Sequence, residues 1–407
     1  VGMVDTGGKW RALGIVAVAE LLAMALWFSA SAVAPELTDL WGLTAGEAAL
    51  LTSAVQVGFV VGAVISAVST LSDTVPPKYL FAAASLLGAA ATAALALFVE
   101  SATPAIALRF LTGVALAGVY PTGMKLVSGW FREGRGLAIG ALVGALTVGS
   151  ALPHLLRTVG GVGQPRVVLL GASGLAVVGG VLILVAQPGL YQSPAAPFDP
   201  GAIRRLLGDR SAMLANVGYF GHMWELYAVW TWLPIYLSLS VAAVDGPLAT
   251  PATATLIAFG TIAIGGPGAL AAGMVADRWG RTTLTSASMV VSGGASLFAG
   301  FVFGAPLAVL VPFVLVWGVA IVADSAQFSA CITELTDDRY VGTALTLQTA
   351  IGFLVTTVSI QLVPIVADVV GWQWAFAFLA LGPAVGTAAM LRLRVSPAAA
   401  KLAGGNG

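Results

Sequence analysis

Charge is scarce in this 407-residue chain: Asp, Glu, Lys and Arg make up only 9% of it, against roughly 25% in soluble domains. With 58% of residues hydrophobic, too few polar side chains remain to cover a core, and a water-soluble fold is excluded. Basic and acidic residues number 18 each, so no basic surface is left over for nucleic acid. Cysteine occurs once, at Cys331, and histidine twice. An internal disulfide is therefore impossible, the usual zinc ligand sets are not available, and neither metal nor cofactor is expected. The hydrolytic strings H-E-x-x-H and G-x-S-x-G are missing as well. The nearest phosphate-loop string, Gly118 to Lys125, has Met124 where that motif requires Lys. These absences argue against an enzyme, leaving a polytopic enzyme or receptor as the alternative from a different class.

Long apolar runs are what the chain has in quantity. About 20 residues of helix cross a bilayer core of roughly 30 Å. Gly, Pro and charge punctuation divides the chain into such runs near 11–35, 47–71, 79–99, 104–128, 136–157 and 166–187. A second set lies near 211–239, 251–273, 283–304, 306–332, 341–366 and 372–391. Lipid offers no hydrogen bonds, so each run must satisfy its own backbone as a helix. The first run has no cleavage site after it and is expected to remain as a helix. The expected fold is an all-α membrane protein of twelve transmembrane helices: one set within 1–187, a linker at 188–210, and a second set within 211–407. Prolines, Arg204, Arg205 and Arg210 interrupt the linker, whose GAIRRLLG stretch at 201–208 reads equally as a short surface helix or a solvated loop.

Basic residues set the orientation. With the N-terminus inside, all of the 18 Lys and Arg except Arg109, Arg157 and Arg166 fall on the cytoplasmic side. Both termini are then cytoplasmic and the host is the cytoplasmic membrane. His154 and Arg157 read as a solvated, loop-facing pair rather than an anion site.

The two sets repeat one another. ELLAMALW from Glu20 to Trp27 matches ELYAVWTW from Glu225 to Trp232 at an offset of 205, Gly113-Val-Ala-Leu matches Gly318-Val-Ala-Ile at 205, and Asp73 matches Asp277 at 204. Duplicated six-helix units with a substrate path between them are a known transporter design.

Gly273-Met-Val-Ala-Asp277-Arg278-Trp-Gly280-Arg281 resembles the G-x-x-x-D-R-x-G-R signature of the major facilitator superfamily, and the stretch around Asp73 resembles a decayed copy of it. Arg109-Phe-Leu-Thr112-Gly113 resembles that superfamily's R-x-x-Q-G motif with Thr in place of Gln. Gly136, Gly140, Gly144, Gly149 and Pro153 resemble its Gly-Pro motif. The likeness covers the whole chain and implies two pseudo-symmetric six-helix bundles. It also implies that Asp73, Asp277, Arg278 and Arg281 hold one face closed by binding neighbouring helix ends. Phrases such as VADSAQFSACITEL resemble the nitrate/nitrite-porter and cyanate-permease-like branch. The arginines typical of nitrate porters are missing, however, since the second run offers only Gln56.

Four ionisable residues fall inside runs: Glu20, Arg109, Glu225 and Asp324. Such groups are costly in lipid and normally face a polar path or a partner, and the resemblance places their four helices around a central cavity. One reading pairs Glu20 with Arg109 and Glu225 with His222. The other makes at least one acid a proton site, Glu225 or Asp324 being favoured. Helical spacing puts His222 on the Glu225 face and Gln327 on the Asp324 face. Trp27 and Trp232 follow their glutamates by seven residues and Trp317 precedes Asp324 by seven, positions that suit either an aromatic gate or the lipid-interface belt. The expected protein is a monomeric, proton-coupled transporter of a small solute in a lipid bilayer. An organic or inorganic anion is the first expectation for that solute, and cation or drug/proton antiport the alternative.

Overall fold

The computed structural model describes residues 6–69, 71–131, 135–189, 191, 207–244, 246–337 and 340–405, except the side chains of 6, 7, 72, 73, 135, 136 and 277. Every regular element among them is a helix. Most of the 201–208 stretch lies outside the described residues, as do the side chains of Asp73 and Asp277.

The first apolar run is broken rather than continuous. Helix α1 (Thr6–Met24) stops, residues 25–28 turn, and the chain resumes as α2 (Ser29–Ala32) and α3 (Ala34–Trp41). Thr44 then opens α4 (Ala45–Val68) with a capping box: its hydroxyl accepts from the Glu47 N–H at 3.2 Å, while its own N–H donates to Glu47 Oε2 at 2.9 Å. After α5 (Leu71–Thr74) and α6 (Pro77–Phe98), the fourth run splits into α7 (Ala102–Leu116) and α8 (Tyr120–Ser128). Pro121 has no N–H to give the carbonyl four residues back, which accounts for the split. Helices α9 (Arg135–Gly160) and α10 (Pro165–Leu182) complete the first half.

The second half opens with α11 (Arg210–Ala242), whose N-cap Asp209 accepts from the Ser211 and Ala212 N–H groups. It continues through α12 (Pro251–Ala263), α13 (Gly265–Trp279), α14 (Arg281–Val302), α15 (Leu307–Ala323) and α16 (Ser325–Leu335) to α17 (Val341–Val370) and α18 (Leu381–Arg394). By length and composition, nine helices among the described residues can cross a membrane, or ten if the bent pair Ala377–Arg394 and Pro397–Gly405 is one span. The last run is also less regular than expected: residues 372–376 are turns, followed by a short 3-10 segment, Ala377–Ala380.

In the first half α4 packs on α7, α6 on α10, and α1 on α9 and α10; in the second, α11 packs on α17 and α18, and α14 on α15 and α18. The principal contacts between halves are α4 with α17 and α9 with α12 and α13. Helices in lipid gain stability from close packing, which small residues permit. Gly113 brings α7 onto α4 so tightly that a Cβ would run into the Val55 carbonyl, and Gly318 does the same for α15 against the Thr261 carbonyl on α12. The 205-residue offset thus relates equivalent contacts. It also carries Ala102, the first residue of α7, onto Leu307, the first of α15, and Val119 in the α7–α8 break onto Asp324 in the α15–α16 break.

Candidate transport site

Arg109 is wholly buried on α7. Its guanidinium reaches the break after α1, donating from Nη1 to Leu26 O at 3.0 Å and to Ser29 Oγ at 3.2 Å, from Nη2 to Trp27 O, and from Nε to Leu51 O of α4 at 3.1 Å. A turn inside a membrane helix leaves carbonyls that lipid cannot satisfy, and arginine's fork of donors suits several of them at once. The expected Glu20–Arg109 pair is therefore not formed. Glu20 is also fully buried, but neither carboxylate oxygen has a hydrogen-bond partner, and Oε2 fills the space beside Gly123 that a side chain there would take. Thr112, next along α7, donates to Leu108 O at 2.8 Å and faces Thr92 of α6.

The second pairing is also redistributed. Glu225 accepts a 2.5 Å bond from Ser296 of α14 instead of bonding His222. His222 places Nδ1 2.9 Å from Asp324 Oδ1, an ion-pair distance off the line of a hydrogen bond, and Nε2 3.0 Å from Ser325 Oγ. Asp324 occupies the one-residue break between α15 and α16, so the break aims the carboxylate across at α11.

A cavity of about 110 Å³ lies between the halves, walled by residues of α4, α8 and α9 on one side and of α11, α16 and α17 on the other. Of the residues expected at the transport path, His222 and Trp27 line it; Glu20, Arg109, Thr112, Glu225, Asp324 and Gln327 do not. One wall is an aromatic cluster that crosses the halves. Trp27 packs on Phe59 at 5.1 Å, Phe353 at 5.4 Å and Tyr227 at 5.8 Å between ring centres, and Phe28 joins through Tyr227 and Trp230. Trp232 instead packs at a tilt against Trp372 and donates to Ile360 O, and Trp317 meets Phe376. Of the three tryptophans read as either a gate or an interface belt, Trp27 alone lines the cavity. Tyr227, Trp230 and Phe353 were missed, although Tyr227 and Trp230 sit in the same ELYAVWTW phrase.

His154 and Arg157 are not a solvated pair. His154 is wholly buried with neither ring nitrogen partnered. Arg157 is bound to Glu36 of α3 at 2.8 Å and donates from Nη1 to Thr255 of α12 at 3.3 Å, tying one half to the other.

Residues 16–267 match the family described as the Major Facilitator Superfamily, more than half of the chain. The chain belongs to the Major Facilitator Superfamily. No curated protein matches it. Among solved structures, the crystal structure of a mutant of the nucleoside transporter NupG is similar over 94% of this chain and 99% of its own, with a TM-score of 0.73 and 16% identity; that likeness concerns the fold. Family and fold make this chain a multi-pass membrane transporter of a small molecule, and not an enzyme.

The superfamily's loop motif lies at the α13–α14 corner. Gly280 turns the chain there at φ 88°, a region that side chains disfavour. Gly273 is buried within α13 and Arg278 is exposed. Arg281 grips Glu334 at the end of α16 with two bonds, Nε to Oε2 at 2.8 Å and Nη2 to Oε1 at 2.6 Å, and donates from Nη1 to Gln327 Oε1 at 2.7 Å. Gln327, expected beside Asp324, therefore belongs to this corner. Glu334 was missed; its signal was an acid at the same end of the tenth run as the motif. It also accepts from the Ala403 N–H at 3.0 Å, which joins the C-terminal segment to the corner.

Proposed function

We propose that this superfamily member is a secondary transporter of the cytoplasmic membrane that works by alternating access and is driven by protons. The observation that carries the reading is the His222–Asp324 contact: a buried acid at a helix break is joined through His222 to the wall of the cavity between the halves. A proton moving on or off that pair changes the charge beside the cavity, and the break gives the helix a place to bend. Glu225, held by Ser296, is the second coupling acid. Binding of solute and proton would bias two arrangements in which one end or the other of the cavity is open.

The reading uses twelve spans in two pseudo-symmetric bundles, with 188–210 as the linker, both termini cytoplasmic, and a monomer as the working unit. Beyond the nine helices and the bent pair, the two that complete twelve are α1 and α11. They carry Lys9, Arg11 and Glu20, and His222 and Glu225, respectively, the polar groups that lower their hydropathy. The Arg281–Glu334–Gln327 corner serves as the cytoplasmic gate, together with Asp73, Asp277 and Arg278, and the Trp27 cluster serves as the opposite gate.

An anionic solute finds little support. Arg109 is spent on carbonyls and His222 faces a carboxylate. Gln56, which the second run offers where no arginine is present, is buried with its amide unpartnered. The nucleoside named for NupG enters only as a member of the test panel. That test places purified protein in liposomes and offers a broad panel of solutes at imposed pH gradients and membrane potentials. Accumulation of one solute that collapses with the pH gradient is expected, whereas movement of no solute in either direction would refute the transport reading.

A further inference from the structure

None of the buried carboxylates and guanidinium groups near the cavity lines it, and this bears on what the cavity accepts. Among the described residues, no Lys, Arg, Asp or Glu lines it. Arg109 donates to Leu26, Trp27 and Leu51 carbonyls, Glu225 is held by Ser296, and Glu20 lies against Gly123. His222 does line the cavity, but its Nδ1 is 2.9 Å from Asp324, so any positive charge it takes is matched by that carboxylate. A charged solute entering such a space sheds its hydration, and only a facing counter-charge offsets that loss. No such group faces inward.

Resting on the transporter reading above, we propose that the cavity takes an uncharged, planar solute about one ring in size. Its volume of about 110 Å³ is of the order of an engineered cavity of roughly 150 Å³ that admits benzene. Aromatic side chains of Tyr219, Tyr227, Trp230 and Phe353 supply stacking surface, while the hydroxyls of Thr147 and Ser329, which donate to Val143 O and Gln348 Oε1, offer lone pairs to an amide N–H. The indole N–H of Trp27, a lining residue, is buried without an acceptor, a donor that a solute carbonyl can satisfy. Aromatic faces also attract cations, but the carboxylate that would complete a cation site is absent from the lining.

Three probes of one ring and different charge decide the matter: benzamide, benzoate and benzylammonium. Binding to the purified full chain is read from quenching of tryptophan fluorescence and competition, without a gradient, and transport from counterflow in liposomes. Benzamide is expected to bind at least about tenfold tighter than either ion, a difference well resolved in such titrations, and Tyr227→Ala and Phe353→Ala to weaken it. Trp27→Phe, which keeps the ring and removes the N–H, is expected to weaken benzamide more than toluene, which has no carbonyl. Equal or tighter binding of benzoate or benzylammonium overturns the proposal, as does tight binding of uridine with none of benzamide. Absence of counterflow for every solute, with benzamide still bound selectively, is instead failure of the transport reading.

Discussion

If Arg109 is a tie for the broken first helix rather than a ligand for the solute, Arg109→Met should cost stability first. The methionine keeps most of the volume and removes every donor. Leu26 O retains a 2.9 Å bond from the Ser29 hydroxyl and Leu51 lies inside α4, where a carbonyl accepts from the N–H four residues on, so the carbonyl left short is that of Trp27. An unsatisfied buried group costs roughly 1–3 kcal/mol. That cost is lowered somewhat because a buried charge is no longer carried. We expect a loss of about 1–2 kcal/mol, and a smaller one for Arg109→Lys, whose ammonium keeps a donor for the Trp27 carbonyl. The assay is equilibrium unfolding in mixed micelles followed by tryptophan fluorescence, with solute binding measured on the folded fraction at low temperature. Binding by the folded fraction should be close to wild type. A variant that unfolds like the wild type yet no longer binds solute would show that Arg109 acts on the solute and that the tie carries no weight.

Glu225→Gln and Asp324→Asn should suppress uptake driven by a pH gradient more than counterflow; unchanged pH dependence in both removes them from proton coupling. Gly113→Ala and Gly318→Ala drive a methyl into the Val55 and Thr261 carbonyls and should each cost about 1–3 kcal/mol, visible as lower melting temperatures; an unaltered melting curve contradicts that packing. Arg281→Ala should loosen the α13–α14 corner and speed modification of Cys331, the single cysteine, wholly buried on the same helix as Glu334. Labelling at the wild-type rate would mean that the Arg281–Glu334 contact does not hold that corner.

The repeat was the most legible part of the structure. The offset of 205 seen in Gly113 and Gly318 recurs as equivalent helix contacts and equivalent breaks, because small residues at fixed spacing record where backbones meet. Pairing among the buried charges was not legible. Glu20 and Arg109 share no partner because the first helix breaks after Met24, and a break creates acceptors that hydropathy does not reveal. The tryptophans show a second limit. Counting seven residues from an acid sets height along a helix, but whether Trp27 or Trp232 faces the other half depends on helix rotation and on where each helix bends. Gln327 failed for the same reason: it lies one turn from Asp324 yet points to Arg281.

The tie at Arg109 also bears on how the chain is assembled during synthesis. Trp27 precedes Arg109 by 82 residues, so the turn after α1 enters the membrane well before its donors exist. Until the fourth run is inserted, those carbonyls must be met by water or headgroups at the insertion machinery, or the segment must stay helical and break later. The first run should therefore be among the last to reach its final shape, and a chain truncated before Arg109 should hold it as an uninterrupted helix.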